Sequence, residues 1–130
     1  MPKVQNRLLV SVTPKMEKAE VWVSMYALHP ALRGARYRTK ALIDSGSTNS
    51  VFGKKAWRAF GLDKQPGLKS TLKQGQTMVA SGKMMDLFFL PVMMHVKGRA
   101  AFKTSIALQK DSDLDVIGFK EMAKGDIQLR

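Results

Sequence analysis

Apolar positions along the chain fall mainly in short, strand-like runs, and turns rich in Gly, Pro, Asn or Lys separate these runs. Runs of this kind, rich in aliphatic, β-branched and aromatic residues, predict β-strands. The predicted strands lie at residues 8–12, 21–28, 37–43, 84–96 and 104–108, and a further strand ends at Gly118. Helical periodicity is rare, so the pattern predicts a mainly β domain.

Pro91 and two glycines modify this pattern. Because proline cannot donate to a strand ladder, Pro91 predicts a bulge or a sheet edge within residues 84–96. Residues 54–60 (KKAWRAF), followed by Gly61, have the length and the glycine stop of a short helix. A second short helix is expected after Gly118.

The polar stretch at residues 68–83, LKSTLKQGQTMVASGK, contains two strand-like segments on either side of Gln74, Gly75 and Gln76. A glycine between two such segments is typical of a hairpin turn. We therefore predict a hairpin at about residues 69–83 with these three residues at its tip.

Length and hydrophobicity favour one globular unit. The 130 residues, 45% of them hydrophobic, suit a single domain at 1–130. The longest apolar run, residues 87–94, is far too short to span a bilayer, and the first ten residues do not look like a signal peptide. We expect an intracellular, cytoplasmic protein that is not secreted and has no membrane partner.

The absence of cysteine excludes disulfides, thiolate metal sites and a cysteine nucleophile. The two histidines, His29 and His95, are far apart and do not form a ligand pattern. We therefore expect neither a metal nor another cofactor.

The net charge of +12 favours anionic partners. The charges are scattered, and only residues 33–40 (RGARYRTK) form a dense basic stretch with an aromatic residue inside it. This stretch is either a solvated loop or a site of weak, non-specific attraction to nucleic acid. A basic nucleic-acid-binding β-domain is accordingly one alternative for the function.

Asp44 ends an apolar strand in the segment ALIDSGSTNSVF, residues 41–52. Either a turn lets this acid reach solvent, or the acid is held half-buried because chemistry requires it. Two carboxyl groups that share one proton can both accept and donate a proton in the attack of water on an amide. Because the chain has one such motif, the second acid would come from a second chain.

This segment resembles the active-site segment of retropepsin-like aspartic proteases, especially those of Gypsy-type retroelements. The resemblance continues through the short helix and the hairpin, where that family has its flap. It also includes Asp115-Val116-Ile117-Gly118, which is similar to the family's second signature, and AKGDIQL, which is similar to its closing strand. It implies a mainly β, retropepsin-like acid protease fold, a closed and barrel-like subunit with one or two short helices and a homodimeric active site.

The resemblance also implies roles for an active-site loop at residues 44–48. Asp44 is then the catalytic acid, and Ser45 hydrogen-bonds across the dimer. Gly46 leaves room for substrate backbone. Ser47 stands where the family often has alanine, and from its chemistry we expect its hydroxyl to donate to the outer oxygen of Asp44.

Outside this loop, the resemblance assigns Gln74, Gly75 and Gln76 to the flap over an extended peptide, and Val116, Ile117 and Gly118 to packing of the second signature. It implies an aspartic endopeptidase that processes a retroelement-type polyprotein as a homodimer. Phe119 and Lys120 depart from the family pattern after Gly118, which puts polar support from that helix in doubt. An inactive dimerisation or peptide-binding module with the same fold is the second alternative.

Overall fold

The computed structural model describes residues 8–10, 19–44, 46–78 and 82–129, and within these ranges the predicted mainly β fold is confirmed. The strands are β1 (Leu8–Val10), β2 (Glu20–Ala27), β3 (Arg36–Ile43), β4 (Val51–Phe52), β5 (Lys73–Met78), β6 (Met84–Val96), β7 (Phe102–Leu108), β8 (Val116–Ile117) and β9 (Ile127–Leu129). The α-helices are α1 (Lys54–Ala59) and α2 (Phe119–Lys124), and 3-10 helices lie at Pro30–Leu32 and Pro66–Thr71.

Seven strands form one mixed sheet in the order β2-β3-β8-β4-β7-β6-β5, and β2 also pairs with β6. The pairing thus returns to its first strand and encloses a core, while β5 remains outside this circuit as the outer strand of the β5–β6 hairpin. Strand β3 runs parallel to β8, with Ile43 opposite Ile117, so the segments that follow these strands leave the sheet side by side. Strands β1 and β9 form a separate two-stranded parallel sheet.

Burial alternates along the strands, so one face of the sheet covers the core. In β2, Val21, Val23 and Met25 point inward and are buried, whereas Trp22 and Tyr26 point outward. The short helix predicted at residues 54–60 is also confirmed as α1, and Ala56, Trp57 and Phe60 of this segment are buried. No helix among the described residues is long and apolar enough to cross a membrane.

Of the bulge and the sheet edge predicted at Pro91, the structure shows a short edge on one side of β6. The register between β6 and β7 runs evenly from Phe88 opposite Leu108 to Met94 opposite Phe102, so no bulge occurs across these described residues. On the other side of β6, pairing with β5 ends at Phe89 and pairing with β2 begins at Val92. Pro91 therefore lies where the partner strand changes, and its missing N–H costs no ladder bond.

The predicted hairpin exists, but its tip was misplaced. Gln74, Gly75 and Gln76 lie inside β5, paired with Phe88, Leu87 and Asp86 of β6. The strands are instead connected between Met78 and Met84, where Gly82 has a φ of 83° that favours glycine. Gly75 occupies a strand position at which a Cβ would lie 3.0 Å from the ring of Phe89. The first strand of the hairpin also begins at Lys73, because residues 66–71 form a 3-10 helix.

Candidate active site

Asp44 follows directly after β3 and is held there by backbone hydrogen bonds. Its N–H donates to the carbonyl of Ile117 at 2.9 Å, and its own carbonyl accepts from the N–H of Ser47 at 3.1 Å. Its Oδ1 accepts from the N–H of Gly46 at 2.9 Å. In the single chain the side chain is exposed, so the tight turn brings this acid to solvent.

The three loop residues predicted to support Asp44 are Ser45, Gly46 and Ser47, and the outcome is different for each. Ser45 lies outside the described residues. A Cβ at Gly46 would lie 3.2 Å from Oδ1 of Asp44, so glycine leaves room for the carboxylate that its N–H binds. The predicted bond from Ser47 to Asp44 is wrong, because the chain bends at Thr48 and Asn49 and the Ser47 hydroxyl donates to the Asn49 carbonyl at 2.8 Å.

The start of α2 holds the loop at residues 46–50, which we call the acid loop. The N–H of Phe119 donates to the carbonyl of Ser47 at 2.7 Å, and that of Lys120 to the carbonyl of Thr48 at 3.1 Å. The N–H of Gly118 donates to the hydroxyl of Ser50 at 2.9 Å. The first amides of α2, which have no partner within the helix, thus fix the loop that follows Asp44.

The second signature fits tightly beneath this loop. Val116 pairs with both β3 and β4, and Ile117 is completely buried. At Gly118, a Cβ would lie 2.4 Å from the carbonyl oxygen of Asn49 and 2.7 Å from that of Ser47. Since both of these atoms belong to the backbone, only glycine allows α2 to approach the acid loop this closely.

Glu121 supplies polar support that the sequence left in doubt. It is completely buried, and its Oε1 accepts from the N–H of Ser50 at 3.1 Å. Its Oε2 accepts from the hydroxyl of Thr104, and Nζ of Lys120 lies 3.6 Å away. Glu121 was not among the residues predicted from the sequence. One local signal for it exists, because an acid at the third position of a helix often turns toward the helix start.

Asp115 forms a second polar junction, on the other side of β8. Its Oδ2 accepts from the hydroxyls of Tyr37 and, at 2.8 Å, Thr39, and its Oδ1 accepts from the N–H of Gly53 at 2.9 Å. Burial, together with the hydrogen bond to Asp115, raises the pKa of Tyr37 to about 12, although the Thr39 contact acts in the opposite direction. Asp115 thus links β3 to the start of α1. It directly precedes β8, the strand that binds the N–H of Asp44.

A cleft of about 440 Å³ lies between the acid loop and the β5–β6 hairpin. Its lining includes Asp44, Gly46 and Ser47 from the loop side, and Thr77 and Leu87 from the hairpin. Among the described residues that line it, Asp44 is the only acid, and the predicted flap residues at 74–76 are not part of the lining. The ranges described also contain no group of three or more histidines and acids that could hold a metal ion.

Comparison with known proteins shows the fold. No protein-family model and no curated protein matches the sequence. The EIAV protease, solved with the inhibitor HBY-793, is similar in structure with a TM-score of 0.60 and 16% identity over 91% of this chain and 97% of that one. A retropepsin-like aspartic protease from Rickettsia conorii is similar with a TM-score of 0.55 and 11% identity over 88% of this chain and 76% of that one. The chain therefore has the retropepsin-like fold, as predicted.

Proposed function

We propose that the chain is an aspartic endopeptidase that cleaves peptide bonds as a homodimer. One observation carries this proposal: in a retropepsin-like fold, Asp44 lies on a loop bound by α2 and opens into a cleft opposite a hairpin. Peptide hydrolysis in such a cleft requires a positioned acid, and a hairpin opposite the acid can close over the bound peptide. No cofactor is needed for this chemistry.

The need for two chains follows from the number of acids. Water attack on an amide requires a proton acceptor and a proton donor, and the described cleft offers Asp44 alone. A two-fold axis between two Asp44 side chains supplies the second carboxyl group. On this proposal Ser45 reaches the opposite loop. The β1–β9 sheet supports the same arrangement, because two strands alone are marginally stable and gain from pairing with another copy.

In the proposed reaction, the two Asp44 carboxyl groups share one proton, since two charges so close cannot both persist. The charged carboxylate accepts a proton from water while the water oxygen attacks the peptide carbonyl carbon. The protonated carboxyl group donates to the carbonyl oxygen, and a proton then passes to the leaving nitrogen as the C–N bond breaks. No covalent bond to the enzyme forms.

The substrate would bind as an extended strand beside the β5–β6 hairpin, because main-chain bonding to an exposed strand suits this shape. Gln74, Gly75 and Gln76 would belong to the cover over the peptide, next to Thr77, which lines the cleft. The packing of Val116, Ile117 and Gly118 holds the floor of the site. We propose a retroelement-type polyprotein as the natural substrate, on the resemblance of the acid segment.

The first test replaces the acid. Asp44→Asn should leave a folded dimer that cleaves no member of a peptide library, because an amide cannot share or accept the proton. Asp63→Asn removes an exposed acid outside the cleft and should retain full activity. Cleavage by the Asp44 variant contradicts the proposal, and a folded wild-type dimer that cleaves nothing favours the peptide-binding alternative.

The second test addresses dimerisation. Specific activity should rise with protein concentration, in parallel with the dimer fraction seen by sedimentation. Because each chain carries a charge of +12, added salt should screen the repulsion and tighten the dimer. Deletion of residues 125–130 should lower activity sharply, since it removes β9. A monomer with constant activity per chain on dilution would refute the shared pair of acids.

A further inference from the structure

The outward face of β2, β3 and the end of β6 concentrates cations and aromatic rings. Six exposed side chains form what we call the basic face: Trp22, Tyr26, Arg36, Arg38, Lys40 and Lys97. The strand register brings them together, since Trp22 lies opposite Lys40 and Tyr26 opposite Arg36. We propose that this face binds single-stranded nucleic acid.

The charge of the face is available to a ligand. None of the ion pairs found between described residues involves its four cations. The nearest acid in the strand pattern is Glu20, the first residue of β2, two positions before Trp22. Alternate residues on one side of a strand are about 6.6 Å apart, so Arg36, Arg38 and Lys40 form a row of positive charge about 13 Å long. Such a row can follow a phosphate backbone.

The aromatic rings distinguish this face from a merely basic surface. Trp22 and Tyr26 are 38% and 43% exposed, which is unusual for large rings in a domain whose other tryptophan is buried. The guanidinium of Arg38 lies 4.5 Å from the centre of the Trp22 ring, so the ring holds this cation in place before any ligand binds. Bases stack on exposed rings and guanidinium planes, whereas a lipid headgroup or duplex backbone needs charge alone.

A groove in the same face has room for a base. It has a volume of about 490 Å³ and is lined by Tyr26, Arg36, Arg38, Met93 and His95, among others. This volume lies within the range of small-ligand clefts. His95 lies across Ser24 from Arg38, so polar side chains face the groove from both neighbours of β2. A base in the groove would thus have donors beside it and an aromatic ring at its edge.

The basic face is distinct from the cleft at Asp44. None of its residues lines that cleft, and Lys40 precedes Asp44 by four positions, roughly 13 Å along the strand. The inference does not depend on proteolysis. Asp44→Asn should bind nucleic acid as the wild type does, so failure of one proposal is separable from failure of the other.

The test measures binding of a labelled oligouridylate of about 12 nucleotides by fluorescence anisotropy at several salt concentrations. A triple variant, Arg36→Gln with Arg38→Gln and Lys40→Gln, should weaken binding roughly tenfold and reduce the slope of log K against log salt by about 2. The matched control replaces the exposed Lys64, Lys69 and Lys110 with Gln, which gives the same net charge. Equal losses in both triples would overturn the proposal in favour of a general charge effect.

A second variant tests stacking. Trp22→Leu should weaken binding to the single strand roughly tenfold and abolish the quenching of tryptophan fluorescence by the oligonucleotide. Duplex RNA should bind less tightly than the single strand to the wild type. Equal affinity for the two, or no effect of Trp22→Leu, would overturn the proposal. So would binding to anionic phosphatidylserine vesicles without binding to the oligonucleotide. Thermal unfolding of each variant followed by circular dichroism confirms that it is folded.

Discussion

The acid loop and the β5–β6 hairpin face each other across one cleft, yet they are held in different ways. The acid loop is bonded to residues far away in sequence, through Gly118, Phe119, Lys120 and Glu121. The hairpin is bonded chiefly to itself, through the pairing of β5 with β6 and the contact between Gln76 and Asp86 at 3.1 Å. One side of the cleft is therefore part of the folded core, and the other is an extension of it.

The two sides of the cleft therefore differ in the contacts that they would have to break in order to move. The free energy needed to open a segment depends on the buried contacts that it must give up. To open, the acid loop would have to expose Glu121, which is fully buried. The hairpin has residues at its far end, such as Met78 and Met84, that are already exposed. On the proposed function, the first side positions the acid and the second admits the peptide.

The largest effect is expected at Glu121. Glu121→Ala leaves the N–H of Ser50 and the hydroxyl of Thr104 without their buried acceptor, and should lower the free energy of unfolding by about 3 kcal/mol. Glu121→Gln keeps the volume and one carbonyl acceptor, so about 1 kcal/mol is expected. Urea unfolding at a fixed protein concentration measures both. Values within about 0.5 kcal/mol of wild type for both variants would contradict this account.

A smaller but more local effect is expected at Gly118. Gly118→Ala places a methyl group 2.4 Å from the carbonyl oxygen of Asn49, so the acid loop must shift, at a cost of about 1–3 kcal/mol. The proposed cleavage rate should fall as well, because Asp44 moves with the loop. Gly67→Ala is the control, since a Cβ there meets no atom within 4 Å. Equal urea midpoints for the two variants would show that the loop yields freely.

The elements that carry the site could be predicted because each depends on local pattern. A few neighbouring residues suffice to predict the strand before Asp44, the end of α1 at a glycine and the strand before Gly118. For Glu121 the local pattern gives only a place in the first turn of a helix, because its partners Ser50 and Thr104 are distant in sequence. Only the fold shows that this position is buried.

The hairpin tip was misplaced for a related reason. A glycine in a polar sequence can mark a turn or a strand position with a close neighbour, and the sequence does not distinguish them. Gly75 is the second case and Gly82, with its positive φ, the first. The predicted Ser47 bond failed because serine hydroxyls often bond to nearby backbone groups, and here the hydroxyl donates to the carbonyl of Asn49.

At high pH, the ionisation of Tyr37 should change the stability that its contact with Asp115 provides. Its pKa rises from the ordinary 10.0 to about 12 because burial disfavours the phenolate, so between these values the unfolded chain loses a proton that the folded chain keeps. Stability must then fall as the pH rises through this window. Tyr37→Phe lacks this component, so the difference in melting temperature between wild type and variant should shrink from pH 10 to pH 12. A constant difference would mean that Tyr37 ionises equally in both states.

The smallest effect on stability is expected in the hairpin. Gln76→Ala removes one exposed contact to Asp86, and should change the free energy of unfolding by less than about 0.5 kcal/mol. If the hairpin covers the peptide, the same variant should nevertheless lower kcat/KM severalfold, because a cover with fewer cross-strand contacts closes less completely. Gln65→Ala, an exposed glutamine next to the 3-10 helix at Pro66–Thr71, is the control and should change neither quantity. A loss of stability at Gln76 as large as that at Gly118 would show that the hairpin belongs to the same cooperative unit as the acid loop, and the contrast between the two sides of the cleft would then be wrong.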